Sequence, residues 1–461
     1  MARSAALKVV RALRAKGFTA FFAGGCVRDE LLGLDPTDYD IATDARPDAL
    51  RSIFPRVAEV GAAFGVMLVR EGRAVVEVAT FRADGEYTDR RRPDRVHFSG
   101  PLEDAKRRDF TINALFLDPD PAADLRERAA AGPAEAEIAG ARATISLLPE
   151  RPADPQHAHP RGLVIDFVGG RADLDARLLR AVGDADQRLA EDHLRALRAV
   201  RFAARLDLAI DPATASAVRR HAVELAGISR ERIGDEIRRM FAHPTRAKAA
   251  ALLTDLALDG PTLTEPSLSA PDAPSRAPSS PLLSRLPPDA PLGTSLAAWA
   301  LARGHVPQAG EVNDALVRRY RAALCLSNIE RDQFADVLRA LVLLGLPGAP
   351  DEPWWNRLGV AGRKRSAAVP AFAHALLLLE LVDPTRAGLI RSDVAVLEAS
   401  PTGLAPPAFL GGEDLIALGL RPGPEFKKTL DAIYDAQLEG RVLTREQAVA
   451  LARGLIQTAS T

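Results

Sequence analysis

The sequence predicts an α+β protein, a small sheet-containing head followed by a long helical body. Three observations carry this. Val-rich runs with strand patterning, punctuated by glycine, crowd into the chain before Asp118. From Arg171 onwards the apolar spacing is helical almost to the C-terminus. Aromatic residues make up only 5% of the 461 residues, so Leu, Ala and Val must fill the cores, and such a chain leans towards helix. The length suits roughly three domains, and 47% apolar with 26% charged residues rules out a wholly disordered chain.

Element by element, a helical start gives way to a strand over Phe18–Ala23 that ends at Gly24-Gly25. A helix follows over Val27–Leu32, then a loop with Pro36, then a strand over Tyr39–Ala42. Val66–Val69 and Ala74–Phe81, divided by Gly72, are further strands, and Leu102–Asp118 reads as a helix entry and a last apolar segment. Residues 120–160 turn sharply towards Ala, Glu, Arg and Pro and read as a low-complexity insertion with little to bury. His157 and His159 there have no carboxylate at metal-ligand spacing, which favours a solvated loop. The expected domains are therefore a head over 1–170 with its insertion at about 120–160, and a helical neck over 171–258. A Pro/Ser-rich linker or loop over 259–291, a helical body over 292–400 and a helical tail over 401–461 complete the chain.

Composition also sets exclusions. With 60 Lys+Arg against 61 Asp+Glu the chain is not a general polyanion binder, although local basic patches survive a net charge of -1. Cys26 and Cys325 lie too far apart for a CxxC zinc site and suggest a reducing compartment. No apolar run approaches the roughly 18 residues of a membrane span, and the first 17 residues form an amphipathic helix without a signal-type apolar region. The expectation is a cytoplasmic protein with no membrane and no obligate protein partner.

The chemistry-bearing residues begin at Gly24-Gly25-Cys26-Val27-Arg28-Asp29, between a strand and a helix. Glycines there let backbone approach a ligand, and helix-start N–H groups favour a phosphate; alone, the pattern is an ordinary tight turn. Asp38 and Asp40 are i, i+2 in an extended segment, so their side chains share a face. Like charges held together call for a cation, the usual logic of a Mg²⁺ site that also holds phosphates. Glu77, inside Val75-Val76-Glu77-Val78, is a third candidate acid or else an outward-facing strand residue.

In this order and spacing, FFAGGCVRDELLGLDPTDYDIAT resembles motif A of the polymerase-β-like nucleotidyltransferases, in the class II group of bacterial CCA-adding enzymes and poly(A) polymerases. ATFRADGEYTDRRRPDRVHF is similar to the family's flexible loop, motif C, and RRDFTINALFLD to motif B. GGRADLDARLLRAVGD with EDHLRALRAVRFAARL resembles motif D and its approach, and ISRERIGDEIRRM motif E. The resemblance covers about Phe18–Phe241 apart from the insertion. It implies a polymerase-β-like head with a mixed sheet, followed by an all-α neck, body and tail. It also implies in-line attack of an RNA 3′-hydroxyl on the α-phosphate of a nucleoside triphosphate, with Mg²⁺ held by Asp38 and Asp40 and Glu77 beside them. By the same resemblance Gly24, Gly25 and Arg28 bind triphosphate, while Arg108, Asp109 and Asn113 surround the sugar and the catalytic floor. Asp109 and Asn113 are i, i+4 and share a face if the segment is helical.

Motif D has a physical reading. Asp192 and Arg195 are i, i+3 on an expected helix, with Glu191 placed to orient the arginine. A carboxylate acceptor beside a guanidinium donor complements an amino group next to a bare ring nitrogen, the edge that cytosine and adenine share. Guanine and uracil present a carbonyl and an N–H there and are rejected. Arg198, Arg201 and Arg205 continue at helical spacing as a basic stripe, suited to nucleotide contact at Arg198 and RNA phosphate at Arg201 and Arg205, or else to a salt-bridged helix face. Ser229 is placed to N-cap a helix over Arg230–Met240, which makes motif E structural.

The match has departures. Asp89-Arg90-Arg91-Arg92-Pro93 puts Arg90 where the family usually has Gly, stiffening a loop that must move between C and A addition. Leu296–Gly304 resembles the phosphohydrolase segment of some relatives with Leu301-Ala302 in place of a His-Asp dyad, which suggests a degenerate, metal-free scaffold. The stretch LGGEDLIALGLRPGPEFKKTLDAIYDAQLEGRVLTREQAVALAR resembles the tail of bacterial tRNA nucleotidyltransferases, with Lys427 and Lys428 offering RNA contacts. The reading is CCA addition to the tRNA 3′ end from CTP and ATP. An A-adding enzyme, a poly(A) polymerase and an inactive RNA-binding module stand as alternatives.

Overall fold

The computed structural model describes residues 2–61, 65–84, 96–149, 162–265, 281–308, 310–346 and 354–459. They divide into two compact units: one runs to Ile228 and includes Asp255–Pro261, the other comprises Ser229–Thr254 and most of the chain from Thr262. The expected head and the first part of the expected neck are therefore one unit, and motif E belongs to the other.

The first unit opens with helix α1 (Ala2–Ala15), strand β1 (Ala20–Ala23), helix α2 (Gly25–Leu31), strand β2 (Ile41–Thr43) and helix α3 (Pro47–Ile53). Strands β3 (Val57–Gly61), β4 (Val66–Glu71) and β5 (Ala74–Thr80) follow, then a hairpin pair β6 (Arg82–Asp84) and β7 (Val96–Phe98). Helix α4 (Pro101–Lys106) leads through a single 3-10 turn, Thr111–Asn113, into β8 (Phe116–Asp118). Next come α5 (Ala123–Ala130), β9 (Ala134–Ile138), β10 (Ala141–Leu147) and β11 (Leu163–Asp166). The unit closes with α6 (Gly170–Asp175), β12 (Leu178–Leu179), α7 (Ala185–Glu191), α8 (Arg195–Arg205), β13 (Ala209–Ile210) and α9 (Pro212–Arg220).

Nine strands form one sheet in the order β3-β4-β5-β2-β1-β8-β11-β10-β9. Only β2 and β5 run parallel, so the sheet is mixed, as expected. The central strands β1, β2 and β11 are buried throughout, and they are apolar except for Thr43 and Asp166 at the ends of β2 and β11. On α1, Ala5, Ala6, Val9, Val10 and Leu13 recur every three or four residues and are all buried. Phe21, Phe81 and Phe116 pack in tilted and edge-on pairs with centroids 6.0–6.3 Å apart within one core cluster.

That cluster overturns the expected low-complexity insertion. Residues 123–147 form α5, β9 and β10, and Ala129, Ala136, Ile138, Ala143 and Ile145 are buried beneath them. AEAEI and ARATISL place a small or branched apolar residue at every second position against charged or polar neighbours. That is a strand period, which an Ala-, Glu- and Arg-rich composition disguises as helix or loop. His157 and His159 lie outside the described residues, as does Arg90. The expected all-α neck also contains a short parallel pair, β12 with β13.

The second unit is helical. Its most buried helix, Leu292–Ala302, carries the segment likened to a degenerate phosphohydrolase, and Gly293 to Ala300 are all buried. A Cβ on Gly293 would lie 2.6 Å from the backbone nitrogen of Phe334, so glycine is what lets these helices approach. Ser229 occupies the N-cap position of Arg230–Phe241 but makes no side-chain cap bond. That helix is anchored instead by Arg230 Nε donating to Ala323 O at 2.8 Å and by the Arg238–Glu330 ion pair. Among the described residues no single helix is long and apolar enough to cross a membrane.

Candidate active site

Gly24, at the turn from β1 into α2, has φ 73° and is therefore in the region that favours glycine. A Cβ there would also sit 2.7 Å from Arg108 Nη1 and would displace that guanidinium. Gly25 has ordinary room, with Arg28 Nη2 at 3.6 Å from its hypothetical Cβ. The expected close approach therefore belongs to Gly24, and what approaches is a guanidinium.

Asp38 and Asp40 lie just before β2 instead of within it, with Tyr39 buried between two exposed carboxylates. The segment keeps the strand alternation that the spacing predicts. In the parallel ladder Ile41 pairs with Val78, so Asp40 and Glu77 precede partners and stand side by side on one face. Glu77 is exposed while Val76 and Val78 are buried, which fixes that face. The crowding has an electrostatic signature. Surrounding protein, then the charges of Glu77 and Asp38, push Asp40 up to about 6 against the opposing pull of Arg108. Partial loss of hydration from the surrounding protein, then Asp38, push Glu77 up as well, opposed by Arg82. Among the described residues no three His, Cys, Asp or Glu side chains already converge as a metal-ligand set.

Asn113 is the hub of the neighbouring polar network. Its Oδ1 accepts from Arg28 Nη1 at 2.5 Å, its carbonyl from Arg108 Nη1 at 2.9 Å, and its Nδ2 donates to Asp109 Oδ1 at 3.0 Å. The segment is a 3-10 turn and not the helix that i, i+4 spacing suggested, yet Asp109 and Asn113 still meet. Asp109 Oδ2 takes both Nε and Nη2 of Arg198, at 2.8 and 2.5 Å. Burial alone would raise Asp109, but Arg198 and Asn113 hold it down at about 2.

Motif D departs from one helix. α7 ends at Glu191, Asp192 is extended with φ -150°, and α8 begins at Arg195. Asp192 Oδ1 accepts the Leu194 N–H at 3.1 Å, the short-range side-chain bond by which Asp competes with helix. Glu191 does orient Arg195: Oε2 takes its Nη1 at 2.5 Å, alongside the Arg188 carbonyl at 2.7 Å. The expected basic stripe is broken, because Arg201 is buried. Its guanidinium lies 4.3 Å from the Phe202 ring centroid, and those of Arg28 and Arg198 lie 5.2 and 5.4 Å from the same ring. Arg205 is exposed. In the second unit Lys427 and Lys428 are exposed, the latter paired with Glu425 at 2.7 Å.

Two members were missed from the sequence. Asp104, almost wholly buried, holds Arg107 at 2.8 Å and Arg108 at 3.0 Å, and its helical i, i+3 and i, i+4 spacing could have flagged it. Phe202, an aromatic inside an arginine stripe, is the plate on which three guanidiniums rest.

Residues 20–127 match the family model described as the poly A polymerase head domain, and residues 207–260 that of the probable RNA and SrmB-binding site of polymerase A. The CCA-adding enzyme of Geobacillus thermodenitrificans is 33% identical over 457 residues, covering 96% of this chain and 95% of that enzyme. The chain belongs to the CCA-adding enzyme family. It is thus a nucleotidyltransferase, of a family that is generally metal-dependent. The family's enzyme from Geobacillus kaustophilus is 34% identical over 460 residues. The crystal structure of the Bacillus stearothermophilus CCA-adding enzyme in complex with CTP superposes with a TM-score of 0.69 at 27% identity, covering 99% of this chain and 98% of that one.

Proposed function

We propose that this chain adds and repairs the CCA end of tRNA without a template, transferring CMP and AMP from CTP and ATP, with Mg²⁺ as its metal. The observation that supports this best is one connected site. Asp40, crowded by Asp38 and Glu77, feels the charge of Arg108, which is joined by hydrogen bonds through Asn113 to Arg28, Asp109 and Arg198. Asp38 and Asp40 would hold the metal with Glu77 beside them, and phosphate oxygens and water would supply the rest of the oxygen shell that Mg²⁺ prefers. Bound there, Mg²⁺ would neutralise charge on the attacking and leaving oxygens of an in-line displacement.

The chain's own groups do the rest. Arg28 and Arg108, fixed by Asn113 and Asp104, offer guanidinium edges to the triphosphate. Asp109 and Asn113 form the floor under the sugar. Glu191 holds Arg195 so that its remaining N–H groups face a bare ring nitrogen, while Asp192 accepts from the neighbouring amino group. Burial of Arg201 against Phe202 favours a part in holding the nucleotide site, leaving Arg205, Lys427 and Lys428 for RNA phosphates. Two free thiols suit a reducing cytoplasm.

The deciding experiment offers tRNA transcripts lacking CCA, ending in C and ending in CC, with CTP, ATP or both. CTP alone should add two residues to the first transcript, and ATP one to the last. Activity confined to the CC end with ATP would make it an A-adding enzyme; long A tails on unrelated RNA would make it a poly(A) polymerase. Arg195→Ala should lose roughly two orders of magnitude or more of the kcat/KM preference for CTP and ATP over UTP and GTP. An unchanged ratio would refute the base-edge reading.

A further inference from the structure

Asp38–Tyr39–Asp40 lies outside the strand ladder, so most of its backbone is not fixed by the sheet, although Ala23 N donates to Asp40 O at 2.9 Å. A metal site needs its ligands held far more tightly than a free loop allows. Tyr39 supplies a second constraint. Its ring is buried edge-on against Phe22, centroids 5.2 Å apart, and its hydroxyl donates to Glu30 Oε1 at 2.5 Å. The same Oε1 accepts Arg3 Nε at 2.8 Å, and the Arg3 guanidinium lies 5.6 Å from the Phe22 ring. Glu30 sits in the last turn of α2, the helix that starts at the Gly24–Gly25 turn, and Arg3 sits on α1. One buried carboxylate thus joins the acidic loop, the helix after the glycine turn and α1.

We infer that Tyr39, Glu30 and Arg3 are positioning residues, a brace that fixes the spacing of Asp38 and Asp40 against the glycine turn. The inference rests on the assignment of those two carboxylates to the metal. Tyr39 turns its ring inward so that its neighbours on either side turn outward, and the Glu30 bond stops that alternation from rotating. Arg3 neutralises Glu30, which would otherwise be a buried charge a few residues from the site.

The test compares Tyr39→Phe, which keeps the ring and removes the hydroxyl, with Glu30→Gln, Glu30→Leu and Asp40→Ala in the full chain. Incorporation of CMP is measured well below the melting temperature. Binding of Mn²⁺ in the presence of CTP, without RNA, is read from the enhancement of water proton relaxation. Tyr39→Phe should lower kcat about tenfold and weaken Mn²⁺ binding by a similar factor, with KM for CTP within about threefold of the parent. Glu30→Gln, which keeps an oxygen acceptor for the phenol, should lose less than Glu30→Leu. A lowered melting temperature with unchanged kcat and Mn²⁺ affinity would reduce the brace to ordinary packing and overturn it. If Tyr39→Phe does not fold, equal kcat and Mn²⁺ affinity in the two Glu30 variants overturns it instead. Asp40→Ala separates the two claims: if it binds Mn²⁺ normally the metal assignment fails and the brace with it, whereas loss in Asp40→Ala with normal binding in Tyr39→Phe rejects the brace alone.

Discussion

Asp40→Ala should lower nucleotide incorporation by about three orders of magnitude or more, beyond the ~10²–10³ lost when one charge-stabilising donor is removed. Its affinity for tRNA, measured by filter binding, should stay within about threefold of the parent. The reasoning is electrostatic. Asp40, just before the parallel ladder, stands beside Glu77 and close to Asp38, and such a concentration of negative charge is costly unless a cation neutralises it. Removing one of three crowded carboxylates relieves repulsion, so the melting temperature should be unchanged or higher. A variant that loses activity together with several degrees of stability would point to a structural role for Asp40. One that keeps normal turnover would remove it from the metal site.

Asp109→Ala, unlike Asp40→Ala, should cost roughly 3–5 kcal/mol of stability because it leaves the paired Arg198 guanidinium without its carboxylate. By calorimetry that corresponds to a fall in melting temperature of roughly 10 °C. The acid side of the stability profile supplies an independent check. Burial would raise Asp109, but Arg198 and Asn113 hold it at about 2, below the ordinary carboxylate value. A depressed folded-state value means that the stabilisation is complete above the unfolded value, near pH 4, and is lost as pH falls through about 2. It amounts to about 2 kcal/mol. Asp109→Ala should therefore lose less stability between pH 5 and pH 2 than the parent does. Equal acid sensitivity in the two proteins would mean that Asp109 does not carry this linkage.

What the sequence disclosed about this site follows the range of the interactions. Asp38 with Asp40, and Glu191 with Arg195, are pairs only a few positions apart, so spacing exposes them. Asn113 with Arg28 and Asp109 with Arg198 meet across 85 and 89 residues, and no local pattern encodes those contacts. The resemblance supplied their membership, and the fold supplied their bonds. Helical periodicity placed Arg201 on a surface stripe because it counts charge as exposure, whereas a guanidinium stacked on Phe202 is buried without violating that periodicity. The break between α7 and α8 was legible in principle, since Asp192 is a capping residue, but neither Gly nor Pro marks it. The mixed sheet was foreseen for the head, whereas its outer strands β9 and β10 were hidden by alanine, a residue that fits a strand's inner face but signals helix.

The strand order also governs when this site can come into being. β1 carries the glycine turn, yet its neighbour β8 is made roughly a hundred residues later, and the Arg198 that clamps Asp109 later still. On a ribosome emitting the chain from its N-terminus, the acidic loop and the glycine turn emerge long before the guanidiniums that complete them. A chain halted before α8 has emerged therefore lacks the arginine that pairs with Asp109, and its acidic loop stands without that part of the network.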